Sequence, residues 1–166
     1  MKLIPCVKYL ESEEGFLKKK EIFFDETGMD SRLATALRRL PCTPGGVMVR
    51  ICIDGGLGSV IDGMPMDPSK VTEGYALRVC EDCISICAAT AVGAFYAIQT
   101  LRQLFMEEKV PCLYIRDWPD FSYRGFYHDV TRGRIQTVET IKKLIDDMAY
   151  YKLNSLQLYV EHVFAF

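Results

Sequence analysis

Short apolar segments with two different periods alternate along the first two-thirds of the chain. Residues 3–25 mix apolar runs with a run of three lysines at residues 18–20, which predicts a strand, a solvated turn and a second strand. Residues 30–40 repeat apolar side chains at three- and four-residue steps, which predicts a short helix. Residues 47–54 alternate apolar and polar side chains and therefore predict another strand.

The alternation resumes after residues 55–69, a loop rich in glycine, proline and aspartate. Residues 74–87 hold two alternating segments on either side of an acidic pair, which predicts a hairpin. Residues 90–105 repeat apolar side chains at helical steps, and residues 111–115 predict a short strand. Residues 1–119 are therefore expected to form a small, sandwich-like α/β domain in which helices pack on a sheet.

A turn cluster of sequence DWPD at residues 117–120 precedes a different arrangement. Residues 123–130 predict a strand, residues 137–153 a helix with Thr137 as its N-cap, and residues 155–160 a second strand. The apolar stripe of this helix comprises Val138, Ile141, Leu144, Ile145 and Met148. Strand, helix and strand in succession form a βαβ unit with parallel strands, so residues 120–166 are a second region of an α+β protein.

Composition places the chain among ordinary globular proteins. Its 166 residues are 49% hydrophobic and 25% charged, which excludes a disordered chain. The net charge of −2 lacks the basic excess of nucleic-acid binders. No signal peptide is recognisable, and the longest apolar run, residues 87–98, is too short to span a bilayer. We therefore expect a cytoplasmic protein that binds neither nucleic acid nor membranes.

The seven cysteines do not predict a metal site. They are expected to be reduced, because most lie in apolar segments and no export signal precedes them. Cys80 and Cys83 flank the predicted hairpin turn and Cys87 follows closely, but a zinc site needs four ligands and a second close pair is missing. The glycine-rich residues 54–59 lack the third glycine and the following helix of a dinucleotide loop. No metal or other cofactor is therefore expected.

Charged side chains crowd around the strand predicted at residues 123–130 and its exit loop. They are Arg124, His128, Asp129, Arg132 and Arg134. Polar groups at strand ends of a βαβ unit often line a site. On composition alone, a structural ion pair between Asp129 and an arginine is the more frequent situation. Glu161 and His162, at the end of the next strand, are either a hydrogen-bonding wall or the solvated end of that strand.

Four segments occur in an order that matches a known family. They are TAVGAFYAIQTLRQL at residues 90–104, IRDWPDF at 115–121, YRG at 123–125 with Asp129 and Arg132, and VETIKKLID with MAYYKLN within 138–154. They resemble, in turn, the closing helix of the N-terminal domain, the linker, the first barrel strand and the first barrel helix of family 20 glycoside hydrolases. These are the β-N-acetylhexosaminidases. The resemblance covers residues 74–166, whereas earlier residues match only in the order of elements.

The resemblance implies a small α/β domain before a (β/α)₈ barrel, and removal of terminal N-acetylglucosamine or N-acetylgalactosamine. In that family the sugar's own 2-acetamido oxygen attacks the anomeric carbon, and an Asp-Glu pair on the fourth barrel strand orients the acetamide and transfers protons. The resemblance implies that Arg124 binds sugar hydroxyls through its fork of donors. Asp129 and Arg132 are expected to support the site. Glu161 and His162 are expected to bind substrate, although YVEHVF departs from the common His-x-x-Asp-Asp pattern.

The chain holds no counterpart of the catalytic Asp-Glu pair, so no catalytic residue is assigned. A barrel of this class takes about 250 residues, and residues 122–166 supply only two strands and a helix. We therefore expect a truncated N-terminal part of a hexosaminidase, inactive alone, whose exposed strands and apolar ending LYVEHVFAF allow self-association. Two alternatives stay open: a non-catalytic α/β binding or assembly module, and the N-terminal part of another barrel glycosidase, of O-GlcNAcase or α-glucuronidase type.

Overall fold

The chain divides into two compact units, Met1–Asp120 and Phe121–Phe166. The structure, a computed structural model, describes residues 2–54, 71–133 and 135–161, and the backbone of residues 60–61 and 64–65. Within these residues, no helix is long and apolar enough to cross a membrane.

The first unit is built on a six-stranded sheet. Its elements are β1 (Tyr9–Phe16), β2 (Ile22–Phe23), α1 (Ser31–Leu37), β3 (Val47–Ile53), β4 (Val60–Ile61), β5 (Met64–Pro65), a 3₁₀ turn (Val71–Glu73), β6 (Tyr75–Val79), β7 (Cys83–Ala88), α2 (Ala91–Leu104) and β8 (Pro111–Asp117). The sheet order is β1-β8-β6-β7-β3-β2, and β4 pairs with β5 alone. The pairs β7–β3 and β3–β2 are parallel, and the other pairs of the large sheet are antiparallel.

Both helices pack on one face of this sheet because alternate residues of its central strands are apolar. Fully buried residues of this core include Leu77, Ile84, Ile86, Ile98 and Leu101. Both helices begin at a polar cap: the side chain of Asp30 accepts the N–H of Arg32, and Thr90 accepts the N–H groups of Val92 and Gly93.

The opposite face of the sheet carries none of the described helices, and we call it the helix-free face. Alternate residues of β6, β7 and β8 lie on it, including Arg78, Ser85 and Tyr114. The Arg78 guanidinium lies 4.8 Å from the centre of the Tyr114 ring and pairs with Glu13 at 3.3 Å. A depression of about 350 Å³ opens on this face between β3 and β8.

The second unit consists of β9 (Gly125–Asp129), α3 (Val138–Tyr150) and β10 (Ser155–Tyr159). The strands pair in parallel, from Gly125 opposite Ser155 to Asp129 opposite Tyr159. The predicted βαβ unit and its N-cap Thr137 are therefore found. Together with the sheet-and-helix first unit, they confirm the predicted α+β fold class.

The apolar stripe predicted on α3 is buried only in part. Met148 is the buried residue of the helix, whereas the side chains of Val138 and Ile145 are 67% and 48% exposed. The physical reason is that two short strands offer too little apolar surface to cover a helix of this length.

Candidate functional site

The carboxyl ends of β9 and β10 bring together most of the candidate residues. Asp129 is the last residue of β9, Arg132 lies in the loop that follows, and Glu161 comes two residues after β10. Because the strands are parallel and in register, their exit loops emerge side by side. In βα barrels this end of the strands is where ligands bind.

Arg132 bridges two carboxylates at this end. Its guanidinium contacts the carboxylate of Glu161, and its Nε lies 3.8 Å from Oδ2 of Asp129. The guanidinium also lies 5.9 Å from the centre of the Tyr159 ring. The Arg132 side chain remains 60% exposed despite these contacts. A cation is therefore held in a defined position while its side chain stays accessible.

The loop after β9 is shaped by the Asp129 carboxylate. Its Oδ1 accepts the N–H of Thr131 at 2.8 Å, the hydroxyl of Thr131 at 2.9 Å and the N–H of Arg132 at 3.1 Å. These hydrogen bonds, above all that from the Thr131 backbone, hold the pKa of Asp129 below its usual value. The Thr131 hydroxyl also accepts the N–H of Glu161 at 3.2 Å. Asp129 therefore stays ionised at neutral pH and fixes the loop that carries Arg132.

Arg124 lies away from this cluster, just before the amino end of β9. Its Nε donates to the carbonyl of Lys152 at 2.8 Å, and its Nη1 donates to the carbonyl of Phe121 at 2.6 Å. Its backbone N–H donates to Oδ1 of Asn154 at 2.9 Å. The guanidinium thus ties together the segments that enter β9 and β10. The structure does not bring Arg124 together with Asp129, Arg132 and Glu161.

The other candidates lie elsewhere or outside the described residues. His128 lies on the opposite face of β9 from Asp129 and stacks on Phe126, with ring centres 6.0 Å apart. His162 and Arg134 lie outside the described residues, as do residues 55–59 of the glycine-rich segment. Among described residues, no group of three or more His, Cys, Asp or Glu side chains is arranged to hold a metal ion.

Sequence reasoning missed two tyrosines and a threonine at this end. The rings of Tyr127 and Tyr159 lie 5.6 Å apart on the strand face that carries Asp129. Two-residue alternation could have found them, since Tyr127 comes two residues before Asp129 and Tyr159 two before Glu161. Thr131, which links the two exit loops, has no comparable sequence signal.

Two family profiles divide the chain at the same place as its compact units. The profile described as "Glycosyl hydrolase family 20, domain 2" matches residues 4–118, and that described as "Glycosyl hydrolase family 20, catalytic domain" matches residues 121–165. Among curated relatives, a "Beta-hexosaminidase" of Porphyromonas gingivalis is 45% identical over 93 residues, which are 49% of this chain and 12% of the relative. A "Beta-N-acetylhexosaminidase" of Cellulomonas fimi is 35% identical over 113 residues, 64% of this chain and 23% of that protein.

Solved structures show the same likeness. A family 20 β-N-acetylglucosaminidase superposes with a TM-score of 0.71 and 29% identity, covering 94% of this chain and 30% of that protein. The N-acetyl-β-hexosaminidase of Streptomyces plicatus, solved with Thio-NAglucal, gives a TM-score of 0.68 and 27% identity over 95% of this chain and 34% of that one. The chain thus spans no more than about a third of these relatives. Since the domain 2 profile alone covers more than half of its residues, the chain belongs to glycosyl hydrolase family 20.

Proposed function

We propose that this chain is the N-terminal part of a β-N-acetylhexosaminidase that removes terminal β-linked N-acetylglucosamine or N-acetylgalactosamine from glycans. The observation that supports this most is the Arg132–Glu161–Asp129 cluster, which lies at the carboxyl ends of two parallel strands within the catalytic-domain match. Residues 1–119 are proposed to be the family's accessory domain, and residues 120–166 the beginning of its barrel.

We propose that Arg132, rather than Arg124, contacts the terminal sugar. Arg132 lies at the ligand-binding end of the strands and keeps an accessible guanidinium, whose N–H groups suit a pair of adjacent hydroxyls. The amino-end guanidinium of Arg124 instead donates to backbone carbonyls. The roles first expected for the two arginines are therefore exchanged: Arg132 binds substrate and Arg124 supports the fold.

Glu161 and Asp129 would serve this arginine in different ways. The Glu161 carboxylate orients the guanidinium and offers acceptors to sugar hydroxyls. His162, the next residue in the sequence, is proposed to bind substrate as well. Asp129 is engaged by three hydrogen bonds from its own loop and would keep the position of Arg132 constant. An orienting role of this kind lowers the entropic cost of placing the sugar for reaction.

The proposed reaction is retaining and substrate-assisted, with the sugar's acetamide oxygen as nucleophile. The residues of this chain would bind and orient the sugar, whereas proton transfer needs the Asp-Glu pair of a later barrel strand. The chain alone is therefore proposed to be inactive. Its accessible strands in the second unit would also allow copies to associate.

A chromogenic aryl N-acetyl-β-glucosaminide tests this proposal. We expect no turnover by the 166-residue chain and robust turnover by the gene product that continues past Phe166, with an aryl β-glucoside, which lacks the acetamide, as the control substrate. Turnover by the short chain would refute the proposed division of labour. Equal turnover of the acetamide and control substrates by the longer product would refute the substrate-assisted mechanism.

A further inference from the structure

Three cysteines lie in one row across three neighbouring strands of the helix-free face. In the register of β6 and β7, Val79 pairs with Ile84, so the next residues outward, Cys80 and Cys83, are directly opposite. In the register of β6 and β8, Val79 pairs with Leu113, so Cys80 also lies beside Cys112. All three alternate with residues that point into the helix-covered core, which places them on the other face.

We propose that Cys80 and Cys83 are a disulfide-forming site whose substrate is a small-molecule disulfide of the oxidised glutathione class. The Cys80 N–H donates to the Cys83 carbonyl at 2.9 Å, and the two side chains are in hydrogen-bond contact. The Cα atoms of a directly opposed, hydrogen-bonded pair of residues lie about 5.5 Å apart. The Cα atoms of disulfide-bonded cysteines lie about 4.4–6.8 Å apart, so this spacing suits a bridge. The backbone spacing therefore permits a cross-strand disulfide once the two thiols turn toward each other.

Accessibility distinguishes this pair from the third member of the row. Cys80 and Cys83 are both partly exposed, whereas Cys112 is 2% exposed. An incoming disulfide can therefore reach Cys80 or Cys83 but not Cys112. Cys87 and Cys52 pair in register further along β7 and β3, four residues from this row. Within this row, accessibility thus favours a bridge between Cys80 and Cys83 over one to Cys112.

The exchange proceeds in two balanced steps. The thiolate of one cysteine attacks one sulfur of the small disulfide, forming a mixed disulfide and releasing one small thiol. The thiolate of the other cysteine then attacks the protein sulfur of that mixed disulfide, forming the Cys80–Cys83 bond and releasing the second small thiol. The two protein thiols are oxidised, the small disulfide is reduced, and the two protons end on the released thiols.

The surroundings of the pair make this a slow reaction. Burial, the neighbouring Cys83 and the carboxylate of Glu13 raise the pKa of Cys80, while Arg78 acts in the opposite direction. The acidic side chains in the turn, Glu81 and Asp82, are both paired with Lys18, at 3.3 and 2.8 Å. Because the raised pKa lowers the thiolate fraction of Cys80, the bridge is expected to form under sustained rather than brief oxidation.

Peptide mapping of the complete 166-residue chain tests the proposal. The folded chain is equilibrated with mixtures of reduced and oxidised glutathione, alkylated, and cleaved after glutamate, which separates Cys80 from Cys83 at Glu81. Because the fragment of residues 82–107 also holds Cys87, fragmentation in the mass spectrometer identifies which of its two cysteines is bridged. We expect the two fragments to be joined by a disulfide under oxidising mixtures and separated under reducing ones.

Two variants serve as matched controls. Cys112→Ser should leave the Cys80–Cys83 bridge unchanged, and Cys83→Ser should leave Cys80 alkylated or held in a mixed disulfide with glutathione rather than joined to Cys112. The proposal is overturned if the folded wild-type chain keeps both cysteines alkylated under every mixture, or if Cys80 is joined mainly to Cys112 or Cys87. Circular dichroism of each variant verifies folding, and if Cys83→Ser does not fold, the wild-type map decides alone.

Discussion

Gly93 lets α2 approach the sheet more closely than any other residue would allow. A Cβ at this position would lie 2.3 Å from the carbonyl oxygen of Gly74 and 3.2 Å from the Cβ of Ala88. The first of these atoms belongs to the backbone, so it cannot rotate away as a side chain would. Gly93→Ala must therefore displace the first turn of α2 from the strands beneath it.

Two opposing terms decide the magnitude. Alanine in a helix interior is favoured over glycine by about 1 kcal/mol. Overpacking of a close contact costs about 1–3 kcal/mol, and this contact lies at the severe end because an oxygen and a carbon need roughly 1 Å more than the 2.3 Å available. The net loss of unfolding free energy is therefore about 2 kcal/mol, which for a unit of this size lowers the Tm by about 8 °C.

Thermal and urea unfolding followed by circular dichroism measure this loss. Val92→Ala is the matched control, because Val92 precedes Gly93 in the same helix turn and its side chain is 43% exposed. The control should change the unfolding free energy by no more than about 0.5 kcal/mol. An unchanged or higher Tm for Gly93→Ala would mean that helix propensity outweighs the clash, and the close helix–sheet approach would be refuted.

Two further predictions concern buried and capping groups of the first unit. Tyr75→Phe should lower the unfolding free energy by about 1–2 kcal/mol in urea titrations. The buried Tyr75 hydroxyl forms hydrogen bonds with Thr100 at 2.6 Å and Asp117 at 3.1 Å, and the substitution leaves both side chains without that hydrogen bond. The Asp30 carboxylate, held by the side chain and backbone of Arg32, has its pKa lowered to about 2, so an NMR titration should show it ionised down to that pH. The Asp30 carboxylate stabilises the fold at pH values above its unfolded-state pKa near 3.8, and this stabilisation is lost as the pH falls through about 2. A pKa near 4 for this carboxyl group would contradict the cap.

Local patterns were sufficient to predict most elements because each has a period and a boundary of its own. The helices predicted at 30–40 and 90–105 are α1 and α2, and the hairpin predicted at 74–87 is β6 and β7. The order of strands could not be read in this way. β1 pairs with β8, about a hundred residues away, and that pairing depends on how the whole sheet is assembled.

The candidate site was predicted as a set of residues but not as an arrangement. Arg124 and Arg132 are both arginines beside the same predicted strand, and nothing in the spacing says which end of β9 binds a ligand. The structure separates them by placing Arg124 on backbone carbonyls and Arg132 between two carboxylates. The apolar stripe of α3 was likewise predicted from its period, yet a period alone does not supply the surface that covers it.

The comparison of two lysine variants in the longer gene product tests the central claim most directly. If Arg132 contacts the sugar, Arg132→Lys removes charge-assisted hydrogen bonds worth about 1.5–3 kcal/mol and should lower kcat/KM on the aryl N-acetyl-β-glucosaminide by about 10- to 100-fold. Arg124→Lys should lower the Tm and leave kcat/KM within about threefold, since its guanidinium donates to backbone carbonyls. The account is contradicted if the two variants exchange these effects, or if Arg132→Lys retains the full kcat/KM.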